Sequence, residues 1–274
     1  MPRSHKRVII LLAAIVLILA ALFVLLRLLL PPALNNPESV AYDATGKRFL
    51  ISNNGNGTIL SLDGAGRYKR FLTGLDSPRG LKVVGSKLYV ADGTQIRAID
   101  LKAPKLNPGI ALPGAKRLND IESDEKGLLY VTDTEANKLF ILDPATKKSE
   151  ALESPLLQAP NGLVYDYPRH QMLIVCYRAA SPVLAFNVDK HEFGVFRETL
   201  YDNLDGIAID DLGRIYFSSW GEKSVLRIPQ EQNRTEIWQS AIDSPADIYY
   251  HQLTNEIIVP VFDKNEIRRF RVEP

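Results

Sequence analysis

Six short stretches of this sequence open on a small, polar or charged pair and run on into alternating apolar residues. They are Glu38-Ser39-Val40, Arg79-Gly80-Leu81, Asn119-Asp120-Ile121, Asn161-Gly162-Leu163, Asp205-Gly206-Ile207 and Ala246-Asp247-Ile248. The leading residues supply two carboxylates, two amides and one guanidinium. Brought to one place, the carboxylates and amides make a hard, oxygen-rich cage of the kind that suits Ca²⁺ or Mg²⁺ and not zinc, which prefers nitrogen and sulfur. All four histidines, His5, His170, His191 and His251, lie outside these positions. Arg79 opens two other readings. Its guanidinium neutralises the carboxylates itself and plugs the space without a metal, or it turns toward the opening and receives a substrate anion.

The elements that must position these residues follow from their spacing. The stretches recur every 40 to 44 residues, with several short strands in each repeat, which is the signature of propeller blades. The first repeat reads as strands at residues 39–42, 48–52, 58–62 and 68–72, separated by Asp-Ala-Thr-Gly, Asn/Gly and Asp-Gly-Ala-Gly turns. Later repeats continue through KLYVAD, LLYVTD, MLIVCY, RIYFSS and EIIVPV. The expected fold is an all-β, six-bladed β-propeller over residues 31–274, whose innermost strands converge on a central channel. The last repeat, with strands at 246–250, 256–261 and 266–272, stops one strand short. Residues 28–34 are expected to supply that strand and close the ring.

With the leading residues and the blade pattern in hand, residues 35–274 resemble the senescence marker protein/gluconolactonase/luciferin-regenerating enzyme family of six-bladed propellers. Glu38 in Pro-Glu-Ser, Asn161 in Pro-Asn-Gly and Asp205 in Asp-Gly-Ile fall where that family holds a divalent cation, often Ca²⁺. Arg117-Leu118-Asn119-Asp120 looks like the family's Arg-x-Asn-Asp element, which handles substrate beside the metal. The resemblance implies a hydrolase of lactones or related esters. In it the cation is held by Glu38, Asn161 and Asp205, Asp205 and Arg117 act catalytically, and Arg79, Asn119 and Asp120 contact substrate or support the ligands. Two features depart from the pattern: Ser39 stands where many of the family's hydrolases carry Gly, and Arg79 and the short loops leave less lid over the channel than a dedicated lactonase would show. The second repeat, SPRGLKVVGSKLYVAD, looks more like an NHL-type repeat. The alternative is therefore a non-catalytic, NHL-like propeller that binds a protein or glycan partner.

Of the 274 residues, 46% are hydrophobic and 24% charged, with a formal net charge of +1. That balance implies neither nucleic acid nor an acidic partner. The amino terminus differs from the rest. Arg3, Lys6 and Arg7 precede an unbroken apolar run from Val8 to Leu26, long enough to cross about 30 Å of hydrocarbon as a helix. The run exceeds the apolar core of a secretory signal and passes into Arg27, three leucines and Pro31-Pro32 without a small-residue cleavage site. Residues 1–30 are thus expected to be a cytoplasmic basic stub and a single transmembrane helix, with the propeller on the extracytoplasmic side by the positive-inside rule.

Other chemistry finds less support. Cys176 is the only cysteine and sits in an apolar strand, which suits an inert buried thiol. Ser218-Ser219 lacks a nearby histidine or a nucleophile elbow. Asn56-Gly57-Thr58 and Asn233-Arg234-Thr235 fit the glycosylation sequon but are equally good turn sequences. Arg268, Arg269 and Arg271 read as a solvated strand face.

Overall fold

In the computed structural model, which describes residues 12–13, 15–19, 33–231 and 234–273, alternation of apolar residues builds antiparallel meanders. Five are four-stranded and the last is three-stranded among the described residues. The inner strands of blades 1 to 5 are Pro37–Asp43, Pro78–Val84, Leu118–Ser123, Pro160–Asp166 and Leu204–Ile209. Each pairs with a second strand: Arg48–Asn53, Lys87–Asp92, Leu129–Asp133, Gln171–Cys176 and Ile215–Ser219. This is the expected six-bladed propeller. Each blade interface carries its own apolar cluster. Leu50, Ile59, Leu81 and Leu88 pack blade 1 on blade 2, and Val40, Phe49 and Ile51 meet Ile258 between the first blade and the last. The sixth cluster closes the ring.

The last blade departs from expectation. In place of a continuous inner strand over residues 246–250, a bridge joins Pro245 to Val261 and regular pairing resumes only at Tyr249–His251. The outer strands Glu256–Val261 and Glu266–Arg271 follow. No fourth strand completes this blade among the described residues. Of the expected closing segment 28–34, residues 28–32 lie outside the described residues, and Ala33 and Leu34 are not in a strand. Leu34 packs instead against the closing apolar cluster. Asn36 completes the join: its N–H donates to Asn265 Oδ1 at 2.7 Å and its amide to the Phe262 carbonyl at 3.3 Å.

The chain divides into residues 1–33 and 34–274. In the first unit, residues 12–13 and 15–19 are helical and exposed. The rest of the expected membrane span, Val8 to Leu26, lies outside the described residues, and among the described residues no helix is long and apolar enough to cross a membrane.

Candidate functional site

The inner strands do not run straight into the channel. In blades 1 to 5 their register with the second strand shifts at one recurring place, between Pro37 and Val40, Pro78 and Leu81, Leu118 and Ile121, Pro160 and Leu163, and Leu204 and Ile207. The leading pairs are therefore β-bulges, which re-aim side chains away from the ordinary alternation. The first member of five pairs, Glu38, Arg79, Asn119, Asn161 and Asp205, lines one cavity of about 180 Å³, together with Arg117, Thr134, Tyr177, Trp220 and Phe262. Of the residues expected in the site, the structure brings together all but Asp120.

The second members form a waist. A Cβ on Gly80 would sit 2.5 Å from Asp120 Cα, and one on Gly162 2.8 Å from Gly206 Cα, so only glycine lets neighbouring inner strands approach this closely. Polar side chains stitch the same layer. Ser39 Oγ donates to Asp247 Oδ2 at 2.6 Å and accepts the Leu81 N–H, while Asp120 Oδ2 accepts the Leu163 N–H at 2.9 Å. Hydroxyls of the second strands reinforce it: Thr132 takes the Asp120 N–H and donates to the Asn161 carbonyl, and Ser218 takes the Gly206 N–H and donates to the Ala246 carbonyl. Asp120 is the exception among the expected site residues. It lines a separate cavity of about 360 Å³, whose wall continues along the same inner strand through Ile121, Glu122 and Ser123.

Within the upper cavity Arg79 Nη1 donates to Glu38 Oε1 at 2.8 Å, with the two side chains 18% and 4% exposed. Asn119 is fixed through Nδ2 to Thr134 Oγ1 at 3.0 Å, and that hydroxyl donates to the Pro160 carbonyl at 2.8 Å. Arg117 is held by its backbone, whose N–H donates to the buried Asp133 carboxylate at 3.1 Å. Its side chain meets Glu135 at 3.4 Å, both about half exposed. Five buried polar atoms of this cavity have no partner among the described residues: Asn161 Oδ1, Asp205 Oδ1, Arg79 Nε, Arg117 Nε and Trp220 Nε1. Buried polar atoms are ordinarily paired, so this cluster calls for partners from outside the chain, such as water, an ion or a bound ligand.

Electrostatics agree. Burial raises the Asp205 carboxyl well above its ordinary value, the Glu38 charge raises it further, and the Arg79 guanidinium opposes both. The Trp220 indole N–H lowers it least, standing near the carboxyl but outside hydrogen-bonding geometry. Burial likewise raises Glu38 against the pull of Arg79. The donor set is compatible with a divalent cation, although Arg79 already pairs with Glu38. The donors Glu38, Asn161 and Asp205 are hard oxygens, two of them contribute unpartnered atoms, and charge would relieve the crowded carboxylates. Among the described residues no three His, Cys, Asp or Glu side chains are grouped to hold a metal. Any such site here depends on the Asn161 amide.

Thr134, Tyr177, Trp220 and Phe262 line the cavity from outside the inner strands. A signal for them exists, because each is the residue directly after the second strand of its blade, at Asp133, Cys176, Ser219 and Val261.

Residues 36–253 match the SMP-30/Gluconolactonase/LRE-like region. No curated protein matches the sequence. Among solved structures the chain is similar to a gluconolactonase from Xanthomonas campestris, at 15% identity and a TM-score of 0.70, covering 84% of each chain. It is also similar to a catalytically inactive virginiamycin B lyase from Staphylococcus aureus with quinupristin, at 16% identity and a TM-score of 0.71, covering 89% of this chain and 83% of that one. At these identities the likeness to solved structures is one of fold.

Proposed function

The chain belongs to the SMP-30/gluconolactonase/LRE-like family, and from that premise we propose that it hydrolyses lactones or related esters in the upper cavity. The observation that carries the reading is the convergence of Glu38, Asn161 and Asp205, two with unpartnered buried oxygens, beside Arg117 and Asn119. Glu38, Asn161 and Asp205 would hold a divalent cation, Ca²⁺ by the chemistry of its donors. When bound, it supplies Lewis-acid polarisation of the ester carbonyl. Asp205 takes the proton of the attacking water. Burial raises its pKa, which makes the carboxylate a stronger base than a solvated one. Arg117 orients the substrate by charge, and Asn119, locked by Thr134, presents a fixed amide.

Asp205→Asn tests this, because it keeps the shape while removing a charge and the base. Ester and lactone hydrolysis should fall by a thousandfold or more and Ca²⁺ affinity by at least tenfold, read by a substrate panel and by calorimetry. Unchanged hydrolysis in the variant rules out the mechanism. If the wild-type protein neither binds Ca²⁺ nor turns over any ester, the Arg79–Glu38 pair is the resting occupant of the channel, and a non-catalytic propeller binding a protein or glycan becomes the better reading.

We place the propeller outside the cytoplasm on an uncleaved anchor, on the strength of the apolar run and the basic residues before it. Protease added to intact cells should reach the propeller. A mature amino terminus between residues 31 and 36 would overturn that placement.

A further inference from the structure

The mouth of the upper cavity is divided by chemistry. The residue after the second strand is aromatic in blades 4, 5 and 6, as Tyr177, Trp220 and Phe262, and small or polar in blades 1, 2 and 3, as Asn54, Gly93 and Thr134. The aromatics form a continuous arc. Tyr177 meets Trp220 edge to face at a centroid distance of 5.8 Å, and Trp220 meets Phe262 at 5.8 Å. All three are only half-buried, so they keep faces for a ligand. The opposite half holds the cations. Arg79 is committed to Glu38, whereas the loose, half-exposed Arg117–Glu135 contact is of the kind that contributes little and exchanges readily. Arg117 Nε and Trp220 Nε1 are both buried and unpartnered.

We propose that the upper cavity selects a planar aromatic ring carrying a carboxylate, with the ring against Tyr177, Trp220 and Phe262 and the carboxylate on Arg117. This rests on the hydrolase reading only in naming its substrate class, an ester or lactone whose aryl ring also carries a separate free carboxylate. An aromatic ring prefers offset or edge-to-face neighbours of the kind this arc offers. A guanidinium recognises a carboxylate through paired N–H donors. A polyol acid would find only the Trp220 indole N–H and the Tyr177 hydroxyl across half of the mouth. The cavity volume of about 180 Å³ suits a single ring.

The test uses the full chain with Trp238→Phe, which removes the only other tryptophan, a partly buried residue packed against Tyr216 and Phe270. Trp220 emission then reports binding of phenylacetate, of its neutral amide and of gluconate. Phenylacetate should quench saturably and bind at least tenfold tighter than either competitor. Arg117→Met should abolish the preference for acid over amide, and Tyr177→Leu should weaken both aryl ligands alike, by fivefold or more. Gluconate binding as tightly as phenylacetate, or an acid preference that survives Arg117→Met, overturns the proposal. Hydrolysis of sugar lactones without phenylacetate binding overturns it while leaving the hydrolase reading intact. Phenylacetate binding with the expected Arg117 dependence, but no hydrolysis of any ester, supports it and removes the hydrolase reading.

Discussion

Arg79 decides what the unpaired atoms of the upper cavity meet. It donates to Glu38 at 2.8 Å while its own Nε stays unpartnered, so it already serves as a partial counter-charge for the buried carboxyls. A guanidinium about 8 Å from a divalent cation opposes it by about 4 kcal/mol at an effective dielectric near 20. Arg79→Met should therefore tighten Ca²⁺ by tenfold or more in calorimetry. In chelator the same variant should melt several degrees lower than wild type, because Glu38 loses its partner, and Ca²⁺ should restore the difference. A variant that melts low and is not rescued by Ca²⁺ identifies Arg79 as the permanent plug. At this scale most of the site is legible in the sequence. Five of the six leading residues share one cavity with Arg117. Asp120 escapes such a reading because the motif that joins it to Asn119 does not reveal that these two adjacent residues line different cavities. The aromatic arc escapes it because Tyr177, Trp220 and Phe262 belong to the second strands' exits, although they stand in register across three repeats.

The bulge is the element that turns a sheet into a site, and glycine is what lets neighbouring bulges meet. At Gly206 an added Cβ would lie 2.5 Å from Asp247 Cα and 2.8 Å from Asp247 C. Those are backbone atoms of the neighbouring blade and cannot swing aside. Gly206→Ala should cost about 2–3 kcal/mol, in the range of overpacked cores. Gly64→Ala, in a turn where the new methyl meets nothing within 4 Å, should change little. Urea midpoints for the two variants provide the comparison, and equal midpoints would show that the blades can part without loss. Ring closure is an element-scale matter as well. The spacing of the repeats announces a last blade one strand short, but not that its inner strand breaks over residues 246–248, between the Pro245 bridge and the pairing that resumes at Tyr249. The join between the first and last blades is then carried by the Val40, Phe49, Ile51 and Ile258 cluster and by Asn36 bonded to Asn265 and Phe262. Asn265 also sits at a φ of 55°, a left-handed conformation that Asn tolerates better than most residues. Asn265→Ala should accordingly lose about 1–2 kcal/mol in the same urea titration, by combining a lost hydrogen bond with backbone strain.

Across the whole molecule, the axis of the propeller is a column of buried carboxyls. Burial raises Glu38, Asp205 and Asp247, and pushes Asp120 up to about 7. Asp120 faces Leu163 and Ile121 N–H groups and Lys82, which favour its charge, and Glu122, which opposes it. Because these folded-state values lie above those of an unfolded carboxyl, near 4, the folded protein holds more protons than the unfolded one at mildly acidic pH. For Asp120 the stabilising contribution is full below about pH 4 and is lost as pH rises through about 7, and the raised carboxyls of Glu38, Asp205 and Asp247 act in the same direction. Carboxyls whose values are lowered, such as Asp63, Asp100, Asp143 and Asp243, act the other way, but only as pH falls below about 4. Between about pH 5 and 8 the axis should dominate. The melting temperature in chelator is therefore expected to fall across that interval by several degrees, and Asp120→Asn should flatten the part of the slope nearest neutrality. Calcium should reverse the trend. Its proposed ligands Glu38 and Asp205 would have to be deprotonated to bind it, so the rise in melting temperature on adding Ca²⁺ should be larger at about pH 8 than at about pH 5. A melting temperature that is level across that interval in chelator, and unmoved by Asp120→Asn, would show that Arg79 and Lys82 already balance the column; a calcium effect equal at both ends would show that the cation binds elsewhere.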